Sequence, residues 1–240
     1  MAAEDLKSPV ILQTDDEDLE YGGMEYLSDL ALGAARRSQV PVAFHLDRVS
    51  EYETALKSFR WGYSGMTVDC MGYNFEESIQ RVNEIGVVAK ALKVYVEICM
   101  QCFDENIKNH TDIEKAREFC ENTICDGIVA VADTSHESYK GEVKIDFGHL
   151  KKMDQHLDIP IVLSEVSNVP NDQISKAVKS GIRKVNFNKE LKEANKEGLG
   201  EFLFEHPHII DMKTIYQPGR DKMYKVATEK IRACHSNNRV

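Results

Sequence analysis

The feature that most limits how this chain can fold is a rhythm of short branched apolar runs. They recur about every 25 to 35 residues, the length of one strand-plus-helix unit, with helical spacing between them. The runs are PVILQ from Pro9, PVAFHLD from Pro41, MTVDCM from Met66, VYVEICM from Val94, GIVAVAD from Gly127, IPIVLSE from Ile159 and KVNFN from Lys184. Such alternation predicts parallel strands joined by crossover helices. Helix starts are marked as well. Ser50 with Glu53 and Thr111 with Glu114 read as capping boxes, Asn74 precedes an acidic first turn, and Gly181 closes a helix begun near Asp172. No stretch has the composition of a linker, so residues 1–240 read as one domain.

A closed (β/α)8 barrel needs eight parallel strands, and the rhythm supplies seven. The chain opens with AAEDLKS, which reads as a helix end directly before PVILQ, so the unit expected to be missing is the first strand and most of its helix. The fold class is therefore an α/β barrel of the TIM type lacking its first βα unit. Either it stays open, or another chain or an upstream segment supplies the strand. An uncovered parallel edge invites aggregation, so it is expected to be covered.

Composition removes some function classes. The chain is 42% apolar and 29% charged, enough for a sizeable core, and its formal charge of −10 argues against a general nucleic-acid or anionic-membrane surface. No apolar run reaches membrane-spanning length, and MAAEDLKSP has neither part of a secretory signal. A cytoplasmic protein is expected, with its six cysteines reduced.

Several segments, in order, carry a family resemblance. PVILQ, VPVAFHLD, TSHESYKGEVKIDFGHLKKM, IPIVLSEVSNVPNDQISKAVKSGIRKVNFNKEL and PGRDKMYKVATEKIR together resemble the class II, zinc-dependent fructose-bisphosphate and tagatose-bisphosphate aldolases. The resemblance implies a TIM barrel that holds zinc with strand-end histidines and a nearby Glu, and binds a sugar phosphate against a glycine-rich strand end. The metal stabilises the enediolate oxygen while a carboxyl moves a proton on the aldehyde side.

Carried over residue by residue, the implied site is largely replaced. The family's His-Leu-Asp-His reads here as His45-Leu46-Asp47-Arg48, which keeps the proton-transfer Asp and puts Arg48 at a ligand position. A guanidinium has five donors and no lone pair, so it cannot coordinate zinc. Cys99 stands where the metal-associated Glu is expected, and Ser164 where the last His ligand is. His136, in TSHES, is the one match to a zinc-binding histidine. Glu165, Val166 and Asn168 replace phosphate-loop glycines around a retained Ser167. Asn186 matches a substrate-contacting Asn, and Asn188 and Lys189 occupy the positions that follow it. The catalytic loop reads MQCFDENIKNH, with Asp104 and Glu105 near the expected place.

Each candidate also has a plainer reading. Asp47 is a catalytic acid or the partner of Arg48 in a local ion pair. His45 shares the inward strand face with Asp47 and is expected to pack there with a hydrogen-bond partner. His136 is a metal ligand or a hydrogen-bonded remnant, Asp69 orients it or is a polar core group, and Lys189 binds phosphate or reaches solvent. His206 and His208, flanking Pro207, read as loop residues. Cys70, Cys99, Cys102 and His136 end neighbouring strands, so a new Cys3His metal site, or a redox pair, is an alternative to small apolar packing.

The expectation is a degenerate member of the family. Its zinc site is lost and no cofactor is expected; it acts as a catalytically inactive binding or assembly protein, self-associating or joining a larger assembly. A sugar-phosphate-like molecule is the ligand the resemblance leaves open. The alternative is an active aldehyde-lyase with a rebuilt site using Asp47, His136 and Lys189.

Overall fold

The computed structural model describes residues 1–99, 112–131, 145–164, 166–167 and 169–240. Seven parallel strands run in the order of the sequence: β1 (Val10–Thr14), β2 (Val42–Val49), β3 (Gly65–Val68), β4 (Tyr95–Cys99), β5 (Gly127–Val131), β6 (Ile161–Ser164) and β7 (Ile182–Val185). Each pairs with the next, and among the described residues β1 and β7 have no partner on their other sides. The helices are α1 (Ala2–Asp5), α2 (Asp16–Gly22), α3 (Met24–Arg37), α4 (Tyr52–Arg60), α5 (Phe75–Leu92), α6 (Ile113–Asn122), α7 (Phe147–His156), α8 (Asn171–Lys179), α9 (Lys189–Glu205) and α10 (Met212–Ala233). This is a TIM-type barrel with seven of its strands in place, as the spacing of apolar runs implies.

The caps show why the helices start where they do. Asn74 accepts from the Glu77 amide at 2.9 Å while Glu77 accepts from the Asn74 amide at 3.0 Å, so α5 begins with two orphan donors satisfied reciprocally. Two expected caps are corrected. The Ser50 hydroxyl donates to Asp16 at 2.9 Å and α4 starts one residue later, with Glu51 as its uncapped N-cap. Helix α6 is capped by Asp112, which accepts from the amides of Glu114 and Lys115; its carboxylate suits the positive helix end better than a hydroxyl. The expected Thr111 cap lies outside the described residues. The last strand is also shifted: KVNFN contributes Lys184 and Val185 to β7, while Asn186 and Asn188 follow it.

Strand alternation sorts side chains into two cores. Leu46, Met66, Val68, Ile98, Ile128 and Leu163 face the helices with Phe119, Met153 and Ile174 in one continuous cluster, while Cys99, Val129 and Val162 form a small separate cluster on the inner face. The helical layer is bridged where the sheet is not. Asn238 and Arg239 amides donate to the carbonyls of Leu6 and Lys7 at 2.8 and 2.9 Å, Ser236 meets Ser8 at 2.7 Å, and Tyr224 donates to Asp5. Helix α10 thereby joins α1, beside β1, to α8 and α9, which flank β7. It lies so close to α9 that a Cβ on Gly198 would stand 2.6 Å from the carbonyl oxygen of Pro218.

Candidate functional site

In a barrel of this type, chemistry gathers at the carboxyl ends of the strands. There β2 departs from regular pairing. Leu46 pairs with Met66 but Val49 with Val68, so Asp47 and Arg48 together oppose Thr67 in a β-bulge. Arg48 takes a left-handed backbone, φ +51°, which costs an L-residue about 1–2 kcal/mol. The strand therefore does not end at Asp47; it continues through Arg48 to Val49. The bulge leaves Arg48 exposed while Asp47 is half-buried. Burial raises the Asp47 carboxyl above its ordinary range, and hydrogen bonds from Thr67 and Gln13, with the charges of Arg48 and Lys184, hold the rise back.

The remaining candidates lie at the same end. Ser164 ends β6, half-buried, and Ser167 sits in the turn before α8, closed by the Val169 amide donating to Val166 at 3.0 Å. Asn186 directly follows β7, its amide donating to the Leu163 carbonyl at 2.9 Å. Asn188 is the exposed N-cap of α9 and makes no side-chain cap there; Lys189, the first residue of that helix, is exposed and 3.8 Å from Glu193. Asp69 follows β3, and its carboxylate accepts from the Met71 amide at 2.8 Å. His136, Cys102, Asp104, Glu105, Glu165 and Asn168 lie outside the described residues. Cys70 belongs to the helix-facing core, with its thiol pushed up to about 12 by burial, whereas Cys99 belongs to the inner cluster. The two described thiols of the suggested Cys3His site thus pack in different clusters, although Cys99 lies close enough to act on the Cys70 thiol.

Below this end lies a group that the sequence reading touched only at His45. Four inward side chains meet there: His45 from β2, Thr67 from β3, Glu97 from β4 and Lys184 from β7. Lys184 Nζ donates to both Glu97 oxygens, at 2.9 and 2.8 Å; Thr67 donates to Glu97 at 3.2 Å; His45 Nε2 is 2.9 Å from Thr67 Oγ1. Glu97 is 1% exposed and His45 3%. Burial first, then the Lys184 charge, holds the imidazole well below its ordinary range, so it is neutral. Gly65 permits the ring to lie where it does, since a Cβ there would approach Nδ1 to 2.8 Å.

A cavity of about 290 Å3 opens beside this group. Its walls are Ile11, Ala43, His45, Ser64, Gly65, Tyr95, Glu97, Pro160, Arg183 and Lys184, drawn from β1, β2, β3, β4 and β7 and from the residues just before β3 and β6. The signal for this interior was present in the sequence as polar pairs two residues apart, His45 with Asp47, Thr67 with Asp69 and Glu97 with Cys99. Each pair falls on one face of an otherwise apolar strand.

A sequence profile described as "Fructose-bisphosphate aldolase class-II" matches residues 1–239. The chain belongs to that family. It is 29% identical to fructose-bisphosphate aldolases of Thermus caldophilus, over 96% of this chain and 86% of that protein, and of Geobacillus stearothermophilus, over 99% and 86%. The crystal structure of the YdjI aldolase from Escherichia coli K12 superposes with a TM-score of 0.84 at 25% identity, covering 99% of this chain and 85% of that one. A fructose-bisphosphate aldolase from Campylobacter jejuni shares the fold at TM-score 0.81 and 19% identity, covering 100% and 86%.

The zinc implied by the resemblance would need electron-pair donors at the strand ends. Of the described positions that the resemblance matches to ligands, Arg48 has no lone pair to give and Ser164 offers a neutral hydroxyl; Cys99, buried with Val129 and Val162, is a soft donor. Among the described residues, no three His, Cys, Asp or Glu side chains cluster to hold a metal ion. The described donors do not fit catalytic zinc, which takes three protein ligands and an open position.

Proposed function

We propose that this member of the class II aldolase family does not perform zinc-assisted aldol cleavage and works instead as a binding or assembly protein. The observation that carries this reading is Arg48, a cation without a lone pair at the exposed crest of the β2 bulge, where the resemblance puts a zinc ligand. Ser164, and Cys99 in its apolar surroundings, point the same way. No cofactor is required by this reading. A sugar-phosphate-like molecule near Ser167, Asn186, Asn188 and Lys189 remains its small-molecule ligand, and self-association or a larger assembly its setting in the cytoplasm. No helix among the described residues is long and apolar enough to cross a membrane.

Metal analysis tests the proposal. Purified chain is expected to hold less than about a tenth of an equivalent of zinc and to leave fructose and tagatose bisphosphates uncleaved. Stoichiometric zinc with turnover would end it. One observation favours a second reading, an aldehyde-lyase with a rebuilt metal-free site. Asp47 is retained, with a carboxyl raised toward the range where it can hold and return a proton. That enzyme, using Asp47 with His136 and Lys189, would turn over in the presence of a chelator and lose activity in Asp47→Asn.

A further inference from the structure

Two thiols far from the strand ends described above meet across a short, pinned loop. Cys120 lies in the last turn of α6 and Cys125 just before β5, with Glu121, Asn122, Thr123 and Ile124 between them. Both are free and half-buried, packed on the helix-facing core with part of each side chain open to solvent. The loop enters the amino-terminal end of β5, so the sheet separates it from Asp47, Arg48 and Ser164 at the other end.

The backbone around these sulfurs is fastened from two sides. Asn83 on α5 donates from its side chain to the Asn122 carbonyl at 2.9 Å and accepts from the Ile124 amide at 2.8 Å. The loop lies directly on that helix, since a Cβ on Gly86 would stand 2.6 Å from the Ile124 carbonyl oxygen. On the far side of Cys125, the Asp126 amide donates to the Val96 carbonyl at 2.7 Å and the Asp126 carboxylate accepts from the Val96 amide at 2.9 Å. Both neighbours of Cys125 are thus tied down, to α5 and to β4, and Cys120 is held by its own helix. Folding has already brought the two cysteines together, and a bond between them would order little more chain.

Packing as small apolar residues does not account for the pair. The thiols hydrogen-bond to each other, which makes the Cys125 thiol easier to ionise and the Cys120 thiol harder. Burial and the Asp126 carboxylate oppose ionisation of Cys125 without reversing its direction. Thr123 adds to the bias: its hydroxyl stands 2.8 Å from the Phe119 carbonyl oxygen and 3.3 Å from Cys125 Sγ, so its proton can turn to that sulfur as charge develops there.

We infer that Cys120 and Cys125 form a dithiol site that exchanges with low-molecular-weight disulfides, Cys125 attacking and Cys120 resolving. The Cys125 thiolate bonds to one sulfur of the small disulfide, whose own sulfur–sulfur bond breaks and releases a small thiolate. Cys120 then gives up its proton to solvent and attacks Cys125 Sγ, which breaks the mixed disulfide and expels the second small thiolate. In sum two protein thiols are oxidised to one disulfide, and the small disulfide is reduced to two small thiols. The bond formed is reversible. A disulfide stabilises a fold less the shorter the loop it closes, and this loop is ordered without it, so small thiols run the exchange backwards. A metal is a poorer fit, because a structural zinc takes four ligands and no three His, Cys, Asp or Glu side chains gather around an ion position among the described residues. The inference does not rest on the proposed function, since neither cysteine lies at the carboxyl end of the barrel.

The test uses the intact, reduced chain with glutathione disulfide as the probe. Trypsin releases residues 118–140 as one peptide that contains both cysteines and no other. After exposure of the folded chain, quenching with N-ethylmaleimide and digestion, mass spectrometry is expected to find this peptide two hydrogens lighter, and reduced glutathione should restore it. Cys70, buried and with its thiol pushed up to about 12, should react slower by about a hundredfold or more. In Cys120→Ser the reaction should stop with one glutathione on Cys125, a species that in the wild type stays below about a tenth of the chain because Cys120 resolves it. In Cys125→Ser, attack by Cys120 should be slower by about tenfold or more. Should either variant fail to fold, the wild-type peptide still decides whether the internal disulfide forms. A wild-type peptide that stays reduced, that carries glutathione on both sulfurs, or that closes only in urea overturns the inference, as does a folded Cys120→Ser chain without glutathione on Cys125. Zinc content and turnover play no part in these readouts, so failure here is distinct from failure of the proposed function.

Discussion

Lys184→Met tests the barrel interior most directly. Methionine keeps much of the unbranched stem and deletes the ammonium that donates to both oxygens of Glu97 at 2.9 and 2.8 Å. What remains for a carboxylate 1% exposed is one hydroxyl, Thr67 at 3.2 Å. Removing one partner of a buried ion pair costs about 3–5 kcal/mol, because the other charge stays in the low-dielectric interior. Glu97 can escape part of this by binding a proton. Burial already raises its pKa, and Lys184 is the largest influence opposing the rise, so the substitution raises it further.

The sign follows from linkage. A carboxyl whose folded pKa stands above its unfolded one favours the native state below the unfolded value, and this support is lost as pH climbs through the folded value. The stability deficit of Lys184→Met against the wild type is therefore expected to be largest near neutrality. It should shrink on acidification by up to about 1.4 kcal/mol per pH unit. Urea unfolding followed by Trp61 fluorescence and circular dichroism, at about pH 7 and about pH 5.5, measures both quantities. The double variant Glu97→Gln with Lys184→Met removes both charges and is expected to recover most of the loss. A single-variant cost below about 1 kcal/mol that does not change with pH would refute the reasoning, since it would mean that Glu97 is solvated.

Two further outcomes are expected. His45 is held neutral by burial, well below its ordinary 6.5, so the unfolded chain takes up a proton that the folded chain refuses as pH falls below that value; wild-type stability should drop by up to about 1.4 kcal/mol per pH unit there, and that component of the slope should vanish in His45→Asn. Gly198→Ala should cost about 1–3 kcal/mol in chemical denaturation by forcing α9 off α10, and a neutral result would show that the two helices separate freely.

Much of the fold was legible because strands and helices differ in apolar period, and the period survives whatever happens at the strand ends. All seven strands appear where the runs predict them, with KVNFN displaced because pairing with β6 begins at Ile182, skips Arg183 at an irregularity and ends at Val185. The local caps were harder. Ser50 has the right residue type, but its hydroxyl is drawn to Asp16 from a preceding helix, a competition that sequence spacing does not encode. The identity of the β2 end was legible as Asp47 next to Arg48; the bulge that separates their side chains was not, because it arises from pairing with β3. Least legible was Lys184. It reads as one basic residue in a short strand, and its partner Glu97 lies 87 residues away on another strand.

The same division says how the strand ends of such a framework can vary while its shape is kept. A closed barrel is held by an unbroken circuit of interstrand hydrogen bonds, and here the circuit stops at β1 and β7. Two other ties substitute for it among the described residues. Outside, α10 and the chain end fasten the segment before β1 to the helices beside β7; inside, Lys184 fastens β7 to β4. Both ties lie away from Arg48 and Ser164. Substitution at those positions therefore removes no bond on which the curl of the sheet depends, and the carboxyl end is free to change chemistry. The inner tie has no such freedom, because losing either Lys184 or Glu97 alone strands a buried charge. Keeping both members of this pair is thus a constraint of folding, and their presence says nothing about turnover.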